Sequence, residues 1–343
     1  MLIFDYDAYL QELVAVFGPG IEQKAWSYPP HFLLFLLPLQ ETDLVWSAIA
    51  YQIIGLVFFG VAVWLFLANT KFGETNGNAR LLFLALAPFC WLQLIYMHNG
   101  YWVAGFMLLG FCYAGSRPVF AGLCFAVLTI KPQLGILIPV YLIFCGYWKT
   151  IASTIIWTAA ILCMTGMIFG FEIFPLFFSQ TMPNQTEVLL SWDGFVGMMP
   201  GIIGALRVYK APSDMIAIMY FAWVSLLIVP IILLIWKCQD PLHRIYVTIC
   251  GTFVISPYSV SYDMGALSAV AALILIREDF KDDEAGKSLF LALMTVLPVL
   301  VFPLSLSYLT VVPFILVGSL VWIWWQSRGK PTAEPTITSP TVS

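Results

Sequence analysis

Apolar runs follow one another from residue 44 to residue 325, and, apart from residues 171–213, only short polar connectors separate them. Hydrophobic residues make up 61% of the 343-residue chain and charged residues only 10%, a balance that no soluble domain has. The sequence therefore predicts a multi-span membrane protein in contact with membrane lipids and with little mass outside the bilayer. The net charge of −4 argues against nucleic acid as a partner.

Eleven apolar segments are candidate spans, and together they predict an all-α polytopic bundle. A full crossing needs about 20 residues, which only the first, sixth and seventh segments reach. The shortest must extend into flanking polar residues or form broken helices, which membranes tolerate where they line a water-filled cavity. The eleven segments are 44–68, 81–97, 101–114, 118–130, 134–148, 151–170, 214–236, 245–257, 264–276, 288–304 and 308–325.

Two of these segments meet at Lys131-Pro132-Gln133. Pro132 lacks an amide hydrogen and disfavours helix in the residue before it, so it predicts a break. We interpret the stretch as a hairpin of two membrane helices with a lysine at its tip. Lysine inside a membrane segment costs several kcal/mol, about 3 on insertion scales, unless it reaches water, the interface or an anion. Lys131 therefore either snorkels at a helix end or contributes to an anion site.

The basic residues predict the orientation of the spans. If the connector after the first span faces the cytoplasm and the sides alternate, eleven of the fifteen basic residues lie inside and four lie outside. This asymmetry agrees with the positive-inside rule and predicts a cytoplasmic C-terminus. The four basic residues on the outer side are Lys24, Lys131, Arg207 and Lys210.

The chain divides into three parts. Residues 1–43 form a predicted non-cytoplasmic segment, in which a short helix over residues 7–17 precedes a re-entrant Tyr-Pro-Pro motif. Residues 44–325 form the transmembrane domain, with a large outer loop at 171–213. The tail 326–343, rich in Pro, Thr and Ser, is predicted to be disordered and cytoplasmic.

The predicted topology has a consequence at the N-terminus. With eleven spans and a cytoplasmic C-terminus, the acidic first 43 residues would be exported with no helix before them. We therefore expect that the chain lacks an original first span.

The same alternation collects the unusual polar motifs on the outer face, while conventional charged connectors fall inside. A structural protein has no reason to gather its helix breaks on one face, whereas a protein with a site at that surface does. The outer motifs are Tyr28-Pro29-Pro30-His31, His98-Asn99-Gly100, Lys131-Pro132-Gln133, the NQTEVLLSWDG loop at 184–194 with Arg207, and SPYSVSYD at 256–263.

Each motif also has an ordinary structural interpretation. The Tyr-Pro-Pro motif can simply begin a helix, because proline suits the first turn. His98-Asn99-Gly100 can be a tight turn, and Asp263 can complement a helix dipole. Arg207 can be an incidental loop cation. The individual motifs are ordinary, and their location on one face indicates the site.

The outer face combines chemical groups that suit a phosphate and a sugar. Cations beside lipid suit a phosphate headgroup, and carboxylates, amides and aromatic faces suit a sugar. A carboxylate could also deprotonate an acceptor hydroxyl. The membrane location then indicates a lipid-linked sugar donor, with no metal and no cofactor, since the seven cysteines lack metal-ligand spacing. The predicted substrate-binding residues are Tyr28, His98, Asn99, Lys131, Gln133, Arg207, Tyr258, Tyr262 and Asp263, and the loop adds the carboxylates Glu187 and Asp193.

These motifs resemble glycosyltransferase family 87, multi-span mannosyltransferase-like enzymes of the GT-C class, and most closely its proteobacterial members. The matching stretches recur in family order from about residue 2 to 276: WSYPPHFLLFLLPL, the HNG turn, AGLCFAVLTIKPQLGILIPVYL and SPYSVSYD. The resemblance implies a GT-C-like fold in a bacterial inner membrane and an inverting transfer of a hexose at the non-cytoplasmic face. The implied donor is a polyprenyl-phosphate sugar, and the acceptor is a lipid or a glycan.

The resemblance also implies a catalytic aspartate in the first outer loop. In the family this aspartate precedes the Tyr-Pro-Pro motif by roughly twice the 23 residues that separate Asp5 from Tyr28. We therefore expect the catalytic aspartate upstream of Met1, with Asp5 and Asp263 as the candidates within this chain. A chain without it could be inactive as written. A second departure is Met97-His98-Asn99-Gly100, where the family often has Gly-Gln-Asn-Gly.

Two other functions compete with the enzyme. A transporter or flippase of lipid-linked sugars would suit eleven spans with broken helices, but no repeated half is visible. An inactive assembly subunit of an envelope polysaccharide system would explain a missing catalytic acid.

Overall fold

The computed structural model describes residues 4–19, 26–69, 78–183, 196–277 and 285–327, and the secondary structure of these residues is helical. We number the helices in chain order, leaving out the short 3₁₀ and π turns. They are α1 Tyr6–Phe17, α2 Leu33–Leu36, α3 Leu44–Asn69, α4 Asn78–Tyr96, α5 Gly100–Tyr113, α6 Pro118–Val127, α7 Ile138–Phe144, α8 Trp148–Phe169, α9 Ile173–Leu176, α10 Ile202–Val208, α11 Ser213–Lys237, α12 Pro241–Ile255, α13 Gly265–Arg277, α14 Ala285–Leu306 and α15 Val312–Ser327.

Each of the eleven predicted apolar segments contains a helix. Among the described residues, four helices are long and apolar enough to cross a membrane: α3, α8, α11 and the Ser288–Leu306 part of α14. Segment length predicts only the first three of these helices. Helix α14 is the fourth, because it extends beyond both ends of the predicted segment 288–304. The other apolar helices are 10–17 residues long, so a count of eleven crossings stays a prediction.

The N-terminal elements agree with the sequence pattern. Helix α1 covers the predicted residues and ends at Gly18, whose φ of +84° is a conformation that suits glycine. The apolar part after Tyr28 forms a short broken helix, Pro30–Leu39, which begins and ends with 3₁₀ turns around α2. A segment of this length is too short to cross, as the re-entrant interpretation requires.

The chain breaks at Lys131, as the proline predicts. Helix α6 runs into a 3₁₀ turn, Leu128–Ile130, and a second 3₁₀ turn, Pro132–Gly135, follows the lysine. The helices of the two arms do not pair as a simple hairpin, however. Helix α6 packs against α5 and α8, whereas α7 packs against α8, α11 and α12, and the two arms meet mainly through the 3₁₀ turns beside Lys131.

Helix α13 lies in the centre of the bundle. Its residues from Ala266 to Ile274 are almost completely buried, and it packs against α4, α5, α12 and α14. Helix α11, in contrast, exposes large apolar side chains such as Ile218 and Leu226, which suits contact with lipid. The central helix fixes the position of the segment before it, residues 256–263.

Candidate functional site

A buried ion pair joins two of the polar motifs. The Nζ atom of Lys131 lies 2.5 Å from Oδ1 of Asp263, and the two side chains are 7% and 1% exposed. The second carboxylate oxygen, Oδ2, accepts a bond from the backbone N–H of Val260 at 3.3 Å. Removing both charges from water is costly, and stability alone rarely requires such a pair. The pair ties the break before α7 to the segment before α13, which are 132 residues apart.

Aromatic rings surround the ammonium group of Lys131. Its Nζ lies 4.9 Å from the ring centre of Tyr262 and 5.7 Å from that of Tyr28, both within cation–π range. The ring of His98 stacks on Tyr262, with 4.2 Å between centres, and its Nδ1 lies 3.5 Å from the hydroxyl of Tyr28. Three predicted motifs therefore meet around one cation.

The two tyrosines stay protonated in this setting. Burial raises the pKa of Tyr28, and the charge of Asp263 raises it further. Burial and the same carboxylate also raise the pKa of Tyr262 well above its usual value. Both phenols can therefore donate hydrogen bonds at any working pH.

Two glutamines hold the His98-Asn99-Gly100 turn in place. The amide of Gln93 donates to the carbonyl of Tyr262 and accepts from the N–H of Gly100 at 3.2 Å. The amide of Gln52 donates to the carbonyl of His98 at 2.9 Å. A Cβ atom at Gly100 would overlap both the Gln93 amide and the Tyr262 carbonyl, so this close approach requires glycine.

The His98-Asn99-Gly100 turn and the SPYSVSYD segment at 256–263 both contain buried polar atoms without a hydrogen-bond partner. Both side-chain polar atoms of Asn99 are buried and unpaired, and so are the hydroxyls of Ser259 and Ser261. These residues are only 1–2% exposed. Such groups are rare in folded proteins and call for a physical explanation, such as a ligand or an ion that pairs with them.

A cavity of about 590 Å³ opens beside this polar centre. Tyr28, His98 and Asn99 lie along one part of its wall. The leucines of the Pro30–Leu39 segment line another part, and residues at the start of α3 complete the wall. The cavity thus has polar and apolar portions and can hold an amphipathic molecule.

The remaining predicted residues lie in neighbouring segments. Tyr258 packs against residues of α10 on one side and against Tyr262 and Val260 on the other. Arg207 is buried within α10, and Tyr258 packs against the apolar cluster to which that helix contributes. Gln133 is half-buried in the 3₁₀ turn that follows Lys131.

Asp5 has a structural role. Its exposed carboxylate caps α1 by accepting the N–H of Ala8 at 3.1 Å. The neighbouring Phe4 is buried against Phe177, and Trp26, which packs with them, contacts Tyr28. Of the predicted outer loop, Asn184, Glu187 and Asp193 lie outside the described residues.

Some residues of the site were missed by sequence reasoning. Gln93 and Gln52 lie in apolar segments, and a polar amide within such a segment is a signal that could have identified them. His31 lies 3.1 Å, through Nε2, from the hydroxyl of Thr129, which itself donates to the carbonyl of Ala126. This contact fastens the Tyr-Pro-Pro-His motif to the turn before Lys131.

The helical bundle and its buried polar centre define a membrane-embedded protein with a candidate ligand site at one end of the bundle. The sequence profile of glycosyltransferase family 87 matches residues 26–257, about two thirds of the chain. The chain therefore belongs to glycosyltransferase family 87, and it is a membrane glycosyltransferase that uses a sugar donor and an acceptor. Searches of curated proteins and of solved structures returned no significant match.

The matched region includes Tyr28, His98 and Lys131 but ends before Tyr262 and Asp263. The geometry thus adds to the site two residues that lie beyond the matched region.

Proposed function

We propose that this protein transfers a hexose from a polyprenyl-phosphate donor to a lipid or glycan acceptor at the non-cytoplasmic face of a bacterial inner membrane. The observation that carries this proposal is the buried Lys131–Asp263 pair between two tyrosine rings. A phosphate needs a cation, a sugar needs a carboxylate and aromatic faces, and the donor's chain needs an apolar surface. Family membership and the polar centre support the enzyme over a transporter.

In the proposed complex, the donor phosphate binds at Lys131. The positive charge of the Lys131 ammonium group is then shared between the phosphate and Asp263. The protonated phenols of Tyr28 and Tyr262 donate bonds to phosphate or sugar oxygens. The unpaired amide of Asn99 binds a sugar hydroxyl, and this bond would satisfy a group that is otherwise buried without a partner. The cavity beside His98 and Asn99 takes an apolar chain of one of the two substrates.

In the proposed inverting reaction, an acceptor hydroxyl attacks the anomeric carbon of the donor sugar. The new glycosidic C–O bond forms while the bond from the anomeric carbon to the phosphate oxygen breaks. A carboxylate takes the hydroxyl proton, and polyprenyl phosphate leaves with the bonding electron pair. Asp5 and Asp263 are the two candidates for this carboxylate among the residues of the chain.

Substitutions at Lys131 test donor binding, in a form of the protein that shows transfer activity. Lys131→Ala should weaken donor use by about tenfold to over a hundredfold, since a charge-assisted contact is worth about 1.5–3 kcal/mol. Lys131→Arg should keep part of the activity because it keeps the charge. An unchanged apparent donor affinity in Lys131→Ala would refute the phosphate site.

Asp263→Asn distinguishes the two roles of the carboxylate. The substitution keeps the shape and much of the hydrogen bonding, so a binding role predicts mainly a higher KM. A role in proton transfer predicts mainly a collapse of kcat. Full activity in both Asp263→Asn and Asp263→Ala would mean that the residue only supports the fold.

A further inference from the structure

A second cavity lies at the opposite end of helix α6 from Lys131. It measures about 390 Å³ and is lined by Arg117 and by the side chains of Pro118, Val119, Phe120, Leu123 and Trp157. Helix α6 and its 3₁₀ extension separate Arg117 from Lys131 by thirteen residues, or about 20 Å at 1.5 Å per residue. This cavity is therefore distinct from the glycosyltransferase site.

The cavity combines a cation with an apolar wall that faces outward. Arg117 is exposed, and its guanidinium lies 5.2 Å from the ring centre of Tyr113. Val119 and Phe120 are 63% and 41% exposed, and Trp157 is partly exposed. A cation above exposed apolar and aromatic side chains is typical of the membrane interface, where a headgroup lies above its acyl chains.

A second cation lies at the same end of the bundle. The hydroxyl of Thr150 donates to the carbonyl of Ala114 at 2.6 Å, which holds the start of α8 against the turn before α6. Lys149 is the residue before Thr150, is exposed, and follows the exposed Trp148. The turn and the start of α8 thus place Arg117 and Lys149 at the same end of the bundle.

The helices that pack with α6 at this end of the bundle supply no opposing charge. Helices α3, α5, α6 and α8, which pack together here, contain no aspartate or glutamate within their bounds. Glu74, in the connector after α3, lies outside the described residues. The two cations therefore complement an anionic ligand that also has an apolar part.

We propose that this cavity binds an anionic phospholipid of the leaflet opposite the glycosyltransferase site. The lipid phosphate contacts Arg117 and Lys149, and an acyl chain lies along Phe120, Leu123 and Trp157. The orientation that the basic residues predict makes this the cytoplasmic leaflet. The proposal does not depend on the sugar donor or on glycosyl transfer.

Native mass spectrometry of the whole chain in a neutral detergent tests this site. Phosphatidylglycerol and phosphatidylcholine with the same acyl chains are titrated separately, and the retained lipids are counted. We expect phosphatidylglycerol to be retained preferentially. Its affinity for the Arg117→Gln/Lys149→Gln variant should be lower by at least about tenfold. Lys237→Gln, which removes an exposed lysine at the end of α11, is the matched control and should retain the lipid.

A second variant separates the cavity from the charge. Leu123→Trp fills the apolar part and keeps both cations, so it should also lower phosphatidylglycerol retention. Melting curves without added lipid identify variants that fail to fold. If the other variants fail to fold, the single substitution Arg117→Gln is used to test lipid retention. Equal retention of the two lipids, or unchanged phosphatidylglycerol binding in the folded variants, would overturn the proposal.

Discussion

The buried ion pair can be tested by a double-mutant cycle that measures stability and activity together. Lys131→Met shortens the unbranched side chain by one atom, removes its charge and leaves a carboxylate that is 1% exposed without its cation. Removing one partner of a buried pair costs about 3–5 kcal/mol, because the remaining charge stays desolvated. Asp263→Asn leaves an ammonium group that is 7% exposed, and a similar cost is expected.

The double variant removes both charges, and no unpaired charge is left. We therefore expect its loss of stability to be smaller than the sum of the single losses by about 2 kcal/mol or more, measured as unfolding free energies in detergent. Donor-dependent transfer should stay low in the double variant, because the proposed phosphate ligand is missing.

Two outcomes would refute this reasoning. Stability losses that add to within about 0.5 kcal/mol would mean that the two side chains are not coupled in the folded protein. A double variant that regains activity along with stability would show that the pair supports only the fold, and the phosphate site would have to be abandoned.

Three further predictions can be checked independently. Gly100→Ala should lower the unfolding free energy by about 1–3 kcal/mol through overpacking. Gly60 has open space around it, so Gly60→Ala should be neutral or stabilising by up to about 1 kcal/mol. Equal effects of the two substitutions would contradict the close packing at Gly100. Asn99→Leu should leave thermal stability nearly unchanged, because it removes unpaired buried atoms, but it should raise the KM for the sugar substrates; an unchanged KM would argue against a sugar contact. In a cysteine-free background, Gln133→Cys should react with an impermeant thiol reagent from the non-cytoplasmic side and Ser116→Cys should not, and labelling of both from one side would refute the predicted topology.

The local pattern of the chain predicted most of the helices and the main break. Apolar periodicity and length identified all eleven segments, and the missing amide hydrogen of Pro132 predicted the interruption at Lys131. The alternation of spans also predicted that the polar motifs lie on one face. The contacts among Tyr28, His98, Lys131 and Asp263 show that four of these motifs meet, and the side of the membrane that they face stays a prediction.

Other features depend on long-range packing, which a single sequence does not encode locally. The packing partners of α6 and α7, which share α8 but otherwise differ, could not be predicted, because apolar helices in lipid choose partners by shape rather than by hydrophobicity. The hydrogen bonds of Gln93 and Gln52 with the turn at Gly100 likewise depend on which helices come together.

The sequence alone determined that this protein is a helical membrane protein. A chain with this composition and this spacing of apolar runs has to lie in lipid, where helices pair the backbone polar groups internally. Its motifs alone also indicated the glycosyltransferase family that the profile match confirms. Only the tertiary structure decided that Lys131 pairs with Asp263 instead of snorkelling to water. The physical reason is that an ion pair forms between residues 132 positions apart only when the fold buries both, and no local preference of either residue specifies that contact.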